Sequence, residues 1–455
     1  MLKALFDPFI EKSPVTVMAR GMMERILNPG QIDEWFDSTA ESQYTKDLLF
    51  SSVFGIMTEV VLGTRKSVNA AYKAAQEEIG VSVSAVYQKL NGIEPETAAG
   101  LVGYASAEAA AIMEKTGGAA PSPLPGLRLK LLDGNCLEKS HHRIKETRTI
   151  SAGPLPGKSL VVYDPSLRLP IDVFPCEDGH AQERSLLKFV LPTVEEDDLM
   201  IADRNFCVVE FTCGIDGRKG FFAIREHGNY PWKPLGKEKY VGKSSGCKVY
   251  EQPVAVTGED GRQRRFRRIG IRLKNPTRDG DMELFIVTNL SKSKADARKI
   301  AELYRGRWKI ETAFQHLKDW FESEINSLGY PRAALFGFCV ALVAYAVLSI
   351  IKAALAAVHG VEKVENEVSG YYLADEISGT YRGMMIAIPE EQWIVFRHMP
   401  LPRVADLLKR LAANLKLSAF RKHPRGPKKP APKRQGDKNT PHVSTYKLIS
   451  KRHER

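Results

Sequence analysis

An α/β core interrupted by a β-rich insertion and flanked by helical regions is the architecture this sequence predicts, on three observations. Residues up to about 117 carry helical periodicity and abundant alanine. A Pro- and Gly-rich run, 117–126, then ends that pattern, and short apolar strands follow it. A polar, Gly-rich, strand-like stretch at 226–282 separates those strands from one further strand and a long helix starting near Lys294. With 455 residues and 43% apolar content, the chain is long enough to bury more than one core.

In chain order, helices are expected at 15–27, 32–36, 44–62, 66–79, 84–90 and 97–115, with Gly63, Gly80 and Gly92 as stops. Within this region, residues 69–93 have the pattern of a helix-turn-helix. An Ala-rich helix ends at Gly80, Ser82 or Ser84 caps the next, and Tyr87, Gln88, Lys89 and Asn91 are its DNA-facing polar groups. Plain packing of a helical hairpin accounts for the same pattern. The expected organisation is thus a helical DNA-binding region 1–117, a linker 118–126, a catalytic core 127–225 plus 283–325, a β-rich insertion 226–282, a C-terminal helical region 326–415 and a basic flexible tail 416–455. Core strands are expected at 127–132, 159–163, 171–174, 199–202, 220–225 and 284–289, with a helix at 181–190.

Charge is unevenly placed. Residues 416–455 hold 13 Lys or Arg against two acids, so they carry +11 of the net +12, and the body is nearly neutral. A polyanionic partner is the simplest implication, with Lys428, Lys429, Lys433 and Arg434 as the densest group for non-specific phosphate attraction. The six cysteines form no C-x-x-C pair and no zinc-like spacing with histidine, which suits a reducing compartment. Acids at Asp7 and Glu11 and a short apolar stretch argue against a secretory signal, so a cytoplasmic, nucleoid-associated location is expected. The uncharged run 335–351 reaches the lower edge of a membrane-spanning length, but it is rich in small residues and follows an amphipathic helix. A buried core helix, and no membrane, is the expectation.

The residues that carry chemistry lie on both sides of the insertion. If 303–320 is one helix, Tyr304, Arg307, Glu311 and Lys318 fall within about 60° of one another on one face. A solvated ion-paired face explains such a stripe by itself, since Arg307 and Glu311 are an i,i+4 pair. Asp133 and Asp203 each close an apolar strand, in LRLKLLDGN and DDLMIADRN, where a carboxylate can point into a crevice between strands. Taken singly, each reads as a turn residue, and Asp-Gly after a strand is a turn signal. Together the three acids meet a chemical requirement: phosphoryl transfer needs hard divalent cations on the attacking and leaving oxygens, and such ions want oxygen ligands. Arg307, Lys318 and Tyr304 would then hold the DNA backbone.

Tyr304-x2-Arg307-x3-Glu311-x6-Lys318 resembles, at all four positions and all three spacings, the Y-R-E-K signature of bacterial insertion-sequence transposases of family four. LLDGN around Asp133, IADRNF around Asp203, the segment from Leu155 to Glu183 and the opening SPVTVMARGMMERIL are similar to that family as well, over residues from about 15 to the 420s. The resemblance implies a ribonuclease-H-like catalytic core with Asp133, Asp203 and Glu311 as ligands of Mg2+ (or Mn2+), in all two ions. It implies nicking at the ends of double-stranded DNA repeats, attack of the freed 3′-hydroxyl on target DNA, and a homodimer holding two ends. Several members cut the second strand through a hairpin with a flipped base, and Trp232 is then the aromatic of the insertion that would stack there, although a loop Trp is commonly a packing anchor. His141, His142, His180 and Glu183 sit near the acids in sequence, without metal-like spacing. Three other functions stay open: a DNA-binding regulator without catalysis, a metal-dependent nuclease that cuts without joining, and a membrane protein spanning at 335–351.

Overall fold

The computed structural model describes residues 4–43, 47–138, 140, 144–151, 153–277, 280–423 and 442–453. Eight helices come first: α1 Asp7–Lys12, α2 Pro14–Ile26, α3 Pro29–Thr39, α4 Phe50–Val61, α5 Val68–Ala74, α6 Gln76–Ile79, α7 Val83–Gly92 and α8 Pro95–Thr116. Two boundaries differ from the sequence reading. The helix expected over 44–62 begins only at Phe50, where the Asp33 carboxylate takes the Ser51 backbone N–H and hydroxyl. The Ala-rich helix breaks at Ala75, before Gly80 turns the chain at φ 68° and Ser82 caps α7 through the Ala85 N–H.

The strands are β1 Arg128–Cys136, β2 Gly153–Leu155, β3 Lys158–Asp164, β4 Leu169–Cys176, β5 Asp198–Ala202, β6 Phe221–Arg225, β7 Lys233–Pro234, β8 Lys239–Ser244, β9 Cys247–Thr257, β10 Gln263–Arg272, β11 Glu283–Thr288 and β12 His442–Ser444. Ten of them form one sheet, ordered β4-β3-β1-β5-β6-β11-β10-β9-β7 with β8 also on β9, while β12 pairs with β2. Strands β1, β5 and β6 are parallel, and β3, β4 and the β11–β10–β9 ladder are antiparallel. The 226–282 stretch therefore extends the core sheet through β11 instead of closing a sheet of its own.

Period-two alternation assigns the two faces. Leu129, Leu131, Leu199, Ile201 and Ala223 face a large core shared with the N- and C-terminal helices. Leu132, Met200, Ala202, Phe222 and Ile224 face a smaller core with Phe206, Phe211 and Ile215. The remaining helices are α9 Leu187–Val190, α10 Val209–Gly217, α11 Ala297–Arg305, α12 Trp308–Trp320, α13 Pro331–His359, α14 Val361–Glu367, α15 Gly370–Ala387, α16 Leu401–Ala413 and α17 Thr445–His453. Helix α13 is long and apolar enough to cross a membrane, but 89% of its most apolar stretch is buried, against α8, α16, α4 and α7. It is the central helix of the large core, as its small-residue composition suggested.

Part of the basic tail is structured. Residues 417–420 form a 3-10 turn with Phe420 buried, Arg421 bridges to Val368, and 442–453 form β12 and α17. Lys428, Lys429, Lys433 and Arg434 lie outside the described residues, as do His141 and His142.

One buried acid makes the fold pH-sensitive. Burial pushes Glu376 of α15 up to about 7, against a smaller opposing pull from the Thr16 and Val15 backbone N–H groups at the start of α2. The folded chain then holds this proton more tightly than the unfolded chain, so stability falls as pH rises from the ordinary carboxyl range to about 7. Glu376→Gln is expected to stabilise the protein by roughly 1–3 kcal/mol at pH 8 and to change it little at pH 4. Urea unfolding at both pH values checks this, and an equal gain at each would refute it.

Candidate active site

Strand register brings the two aspartates together. In the parallel pair of β1 and β5, Leu131 lies opposite Ile201 and Leu132 opposite Ala202, and the next residue of each segment is Asp133 and Asp203. Neighbouring strands lie about 4.8 Å apart, and both acids share the parity of Leu131 and Ile201, so they face the helices of the large core. Asp203 closes β5 as expected and begins a 3-10 turn over Arg204–Phe206. Asp133 differs: β1 continues through it to Cys136, paired with β3 from Val161 to Lys158, so its Asp-Gly pair is strand and not turn. The Gly134 that follows leaves room for Glu183, whose Oε1 would lie 2.3 Å from a Cβ there. Asn205 donates to the other Glu183 oxygen at 3.4 Å, which keeps that carboxyl beside β1, while His180 is exposed.

The helical stripe is delivered by two helices, not one. Gly306 and Arg307 form a tightened turn between α11 and α12, with the Arg307 N–H donating to the Tyr304 carbonyl at 3.0 Å. This turn aims Tyr304 and Arg307 inward. The Tyr304 hydroxyl donates to Asp203 Oδ1 at 3.2 Å. Arg307, 8% exposed, reaches Asp133 Oδ2 with Nη1 at 3.0 Å and Glu311 Oε1 with Nη2 at 2.7 Å. Asp133, Asp203, Glu311, Tyr304 and Arg307 thus occupy one cleft where α12 crosses β1. Lys318 stands about 10 Å further along α12 and is held by Glu138 and by Glu324 at 3.6 Å.

The electrostatics are those of a partly buried group of acids around one guanidinium. Burial pushes Asp133 up to about 6; Arg307 and the Gly134 N–H oppose the shift, and Glu311 and Asp203 add to it. For Arg307, burial disfavours the charge, yet Tyr304 and the three acids outweigh it and hold the guanidinium firmly protonated. Arg225, at the end of β6, lies 3.9 Å from Asp203 but is committed to Asp281 at 2.6 Å. Sequence reading overlooked Arg225, although the same register argument finds it: Ala202 pairs with Ile224, and the next residues are Asp203 and Arg225.

Among the described residues, no three His, Cys, Asp or Glu side chains are spaced to grip one metal ion. Arg307 stands between Asp133 and Glu311 as the resident cation. The donor chemistry still suits a hard divalent ion, because Asp133, Asp203 and Glu311 offer only carboxylate oxygens and all three lie close enough to interact with Arg307.

Other residues singled out in the sequence are placed elsewhere. Trp232 is half-buried, donates from Nε1 to Glu226 at 3.0 Å and carries the Arg268 guanidinium 4.7 Å from its ring centre, the pattern of a packing anchor. The exposed aromatic beside the acids is Trp308, at 59% exposure and 5.5 Å from the Arg307 guanidinium, which sequence reading passed over. On α7, Tyr87 is half-buried, its hydroxyl pushed up by that burial, and Lys89 lies 4.6 Å over the Phe36 ring. Gln88 is exposed.

Part of the chain is similar to known proteins. Residues 139–346 match the family described as "Transposase DDE domain". A protein named "Putative transposase y4zB" from Sinorhizobium fredii (strain NBRC 101917 / NGR234) is 27% identical over 207 residues, 44% of this chain and 55% of that protein, so the chain spans about half the length of this relative. The family match starts just after Asp133, and the segment that carries Asp203, Tyr304, Arg307, Glu311 and Lys318 is thereby similar to the DDE domain of transposases.

Proposed function

We propose that the chain is a metal-dependent DNA transposase that cleaves transposon ends and joins the 3′-hydroxyl to target DNA. The observation that carries this reading is the meeting of Asp133 and Asp203, neighbours on parallel strands, with Glu311 through Arg307. A ribonuclease-H-like core is supported by the strand order β4-β3-β1-β5-β6 with β1, β5 and β6 parallel. Asp133, Asp203 and Glu311 would hold Mg2+ or Mn2+, in all two ions, and bound metal would supply activation of the attacking oxygen and charge relief on the leaving one.

The chain's own groups do the rest. Tyr304 orients Asp203 through its hydroxyl. Arg307 exchanges its carboxylate partners for a phosphate oxygen when DNA and metal enter, which keeps each charge compensated. Trp308 offers an exposed ring for an unpaired base, and Tyr87, Gln88, Lys318 and the tail cations extend the DNA path in this reading. Bringing two ends together calls for a homodimer. Purified protein with its terminal inverted repeats and Mg2+ is expected to release the flanked DNA and join it to a target. Binding without any strand cleavage would favour a regulator.

Protons and metal compete for Asp133 in this site. Because its carboxyl is pushed up to about 6, divalent-ion affinity of the DNA-free protein is expected to weaken by up to about tenfold per pH unit below that value. Mn2+ titration followed by electron paramagnetic resonance from pH 5 to 8 tests this, and a flat profile would contradict it.

A further inference from the structure

A cavity of about 780 Å³ opens on the flank of α12, bounded by α13, the start of α15 and the chain around Lys422. Its α12 wall starts at Thr312, directly after Glu311, and runs through His316 to Trp320. By helix geometry these lining residues point about a quarter-turn away from Glu311 and extend about 12 Å along the axis. The cavity therefore adjoins the acid cleft without sharing its side chains.

Its floor is rigid and aromatic. Trp320 stacks on His316 with ring centres 3.8 Å apart and on Tyr345 at 5.9 Å. Gly370 admits the Trp320 ring so closely that a Cβ there would lie 2.3 Å from it. Lys352 rises from α13 over this ring, its ammonium 5.7 Å from the ring centre, and among the described residues it has no hydrogen bond or ion pair. Burial, with Arg168 and Lys422 nearby, pushes the ammonium down to about 8, and Glu365 only partly compensates. Glu365 is itself bound to Arg168 at 2.7 Å, and Lys422 donates to the Glu365 backbone carbonyl. Asp319 is the single carboxylate among the lining residues.

A half-buried ammonium whose neighbour is an aromatic face keeps its hydrogen-bond donors available for an anion in the cavity. We infer that this cavity seats a phosphate of the DNA strand that passes the acids, with Lys352 and Lys422 as its cationic partners and Trp320 and Tyr372 as the walls for the adjoining sugar and base. The inference rests on the DNA-processing reading above. Continuity favours a strand over a free ion: the roughly 13.5 Å along α12 from Glu311 to Trp320 equals about four nucleotides at 3.4 Å each. Cations beside aromatic faces are also the pattern by which single strands are held.

The test uses the full chain, EDTA and a fluorescent 12-nucleotide single strand. Lys352→Met is expected to weaken binding about three- to tenfold at 0.1 M salt and to lower the slope of log affinity against log salt by about 0.7 to 1, with Lys352→Arg restoring both. Lysine acetylation mapped by mass spectrometry on the unaltered protein provides a second reading that needs no variant. The oligonucleotide is expected to protect Lys352, and inorganic phosphate at equal phosphate concentration is not. Wild-type-like affinity and slope in a folded Lys352→Met protein, or an unprotected Lys352, would overturn the assignment while leaving the transposase reading intact. Equal protection by inorganic phosphate would make the cavity a free-phosphate site and overturn it too. Failure of the unaltered protein to bind DNA at all would remove both.

Discussion

Asp133→Ala, Asp203→Ala and Glu311→Ala are each expected to lower Mg2+-dependent strand cleavage by a factor on the order of 10³ or more, about 4 kcal/mol of transition-state stabilisation. Asp133 on β1 and Glu311 on α12 share Arg307, and Asp203 follows β5 beside Asp133. Removing one leaves too few oxygen ligands for a pair of hard cations. Because they act as a unit, the triple variant should be scarcely worse than the singles. DNA affinity in EDTA should not fall, since the substitutions remove negative charge near a polyanion. A single-turnover assay on end-labelled repeat DNA gives the rate. A residue whose alanine variant cleaves normally has no place in the metal site. Glu311→Gln adds a control of different meaning, because it keeps the size of the Arg307 partner while removing its charge.

The second large effect is on folding. Lys130 and Asp198 form a buried pair at 2.5 Å, with side chains 7% and 2% exposed, across the same parallel strands that carry Asp133 and Asp203. Asp198 also accepts the Glu195 N–H at 2.8 Å. Asp198→Ala leaves the buried Lys130 ammonium with the Thr193 carbonyl at 3.4 Å in place of a carboxylate and is expected to cost about 3–5 kcal/mol. Replacing both partners together, as in Lys130→Met with Asp198→Leu, should recover much of that loss, because an apolar pair needs no solvation. Urea unfolding of Lys130→Met, Asp198→Leu and the double variant forms a double-mutant cycle. A cost below about 1 kcal/mol for Asp198→Ala would show that the pair is solvated and does not hold β1 to β5.

Several parts of this site were legible in the amino-acid order. Asp133 and Asp203 follow apolar runs whose period-two pattern already gives them one face, and the spacing of Tyr304, Arg307 and Glu311 survives in the structure as a shared set of contacts. The extent of β1 was not legible, because Asp-Gly-Asn has turn chemistry and only pairing with β3 keeps it extended. Likewise, a uniform helical wheel over 303–320 hides the tightened turn at Gly306 that lets Tyr304 reach Asp203 from a separate helix. Lys89 read as a DNA-facing cation, yet its stem has a ring to lie on, since long cationic side chains cover apolar surface when one is within reach.

Local order along the chain determined which chemistry was available: carboxylates after apolar strands, an Arg-rich helix start, an apolar central helix and a basic end. Which of those groups meet was decided only by tertiary structure. Asp133, Asp203 and Glu311 are 70 and 108 residues apart in sequence, and their meeting depends on the hydrogen-bond register of β1 with β5 and on where α12 crosses the sheet. Which strands pair and where a helix crosses them are properties of long-range packing, and a short-range pattern fixes the face of a residue but not its partner.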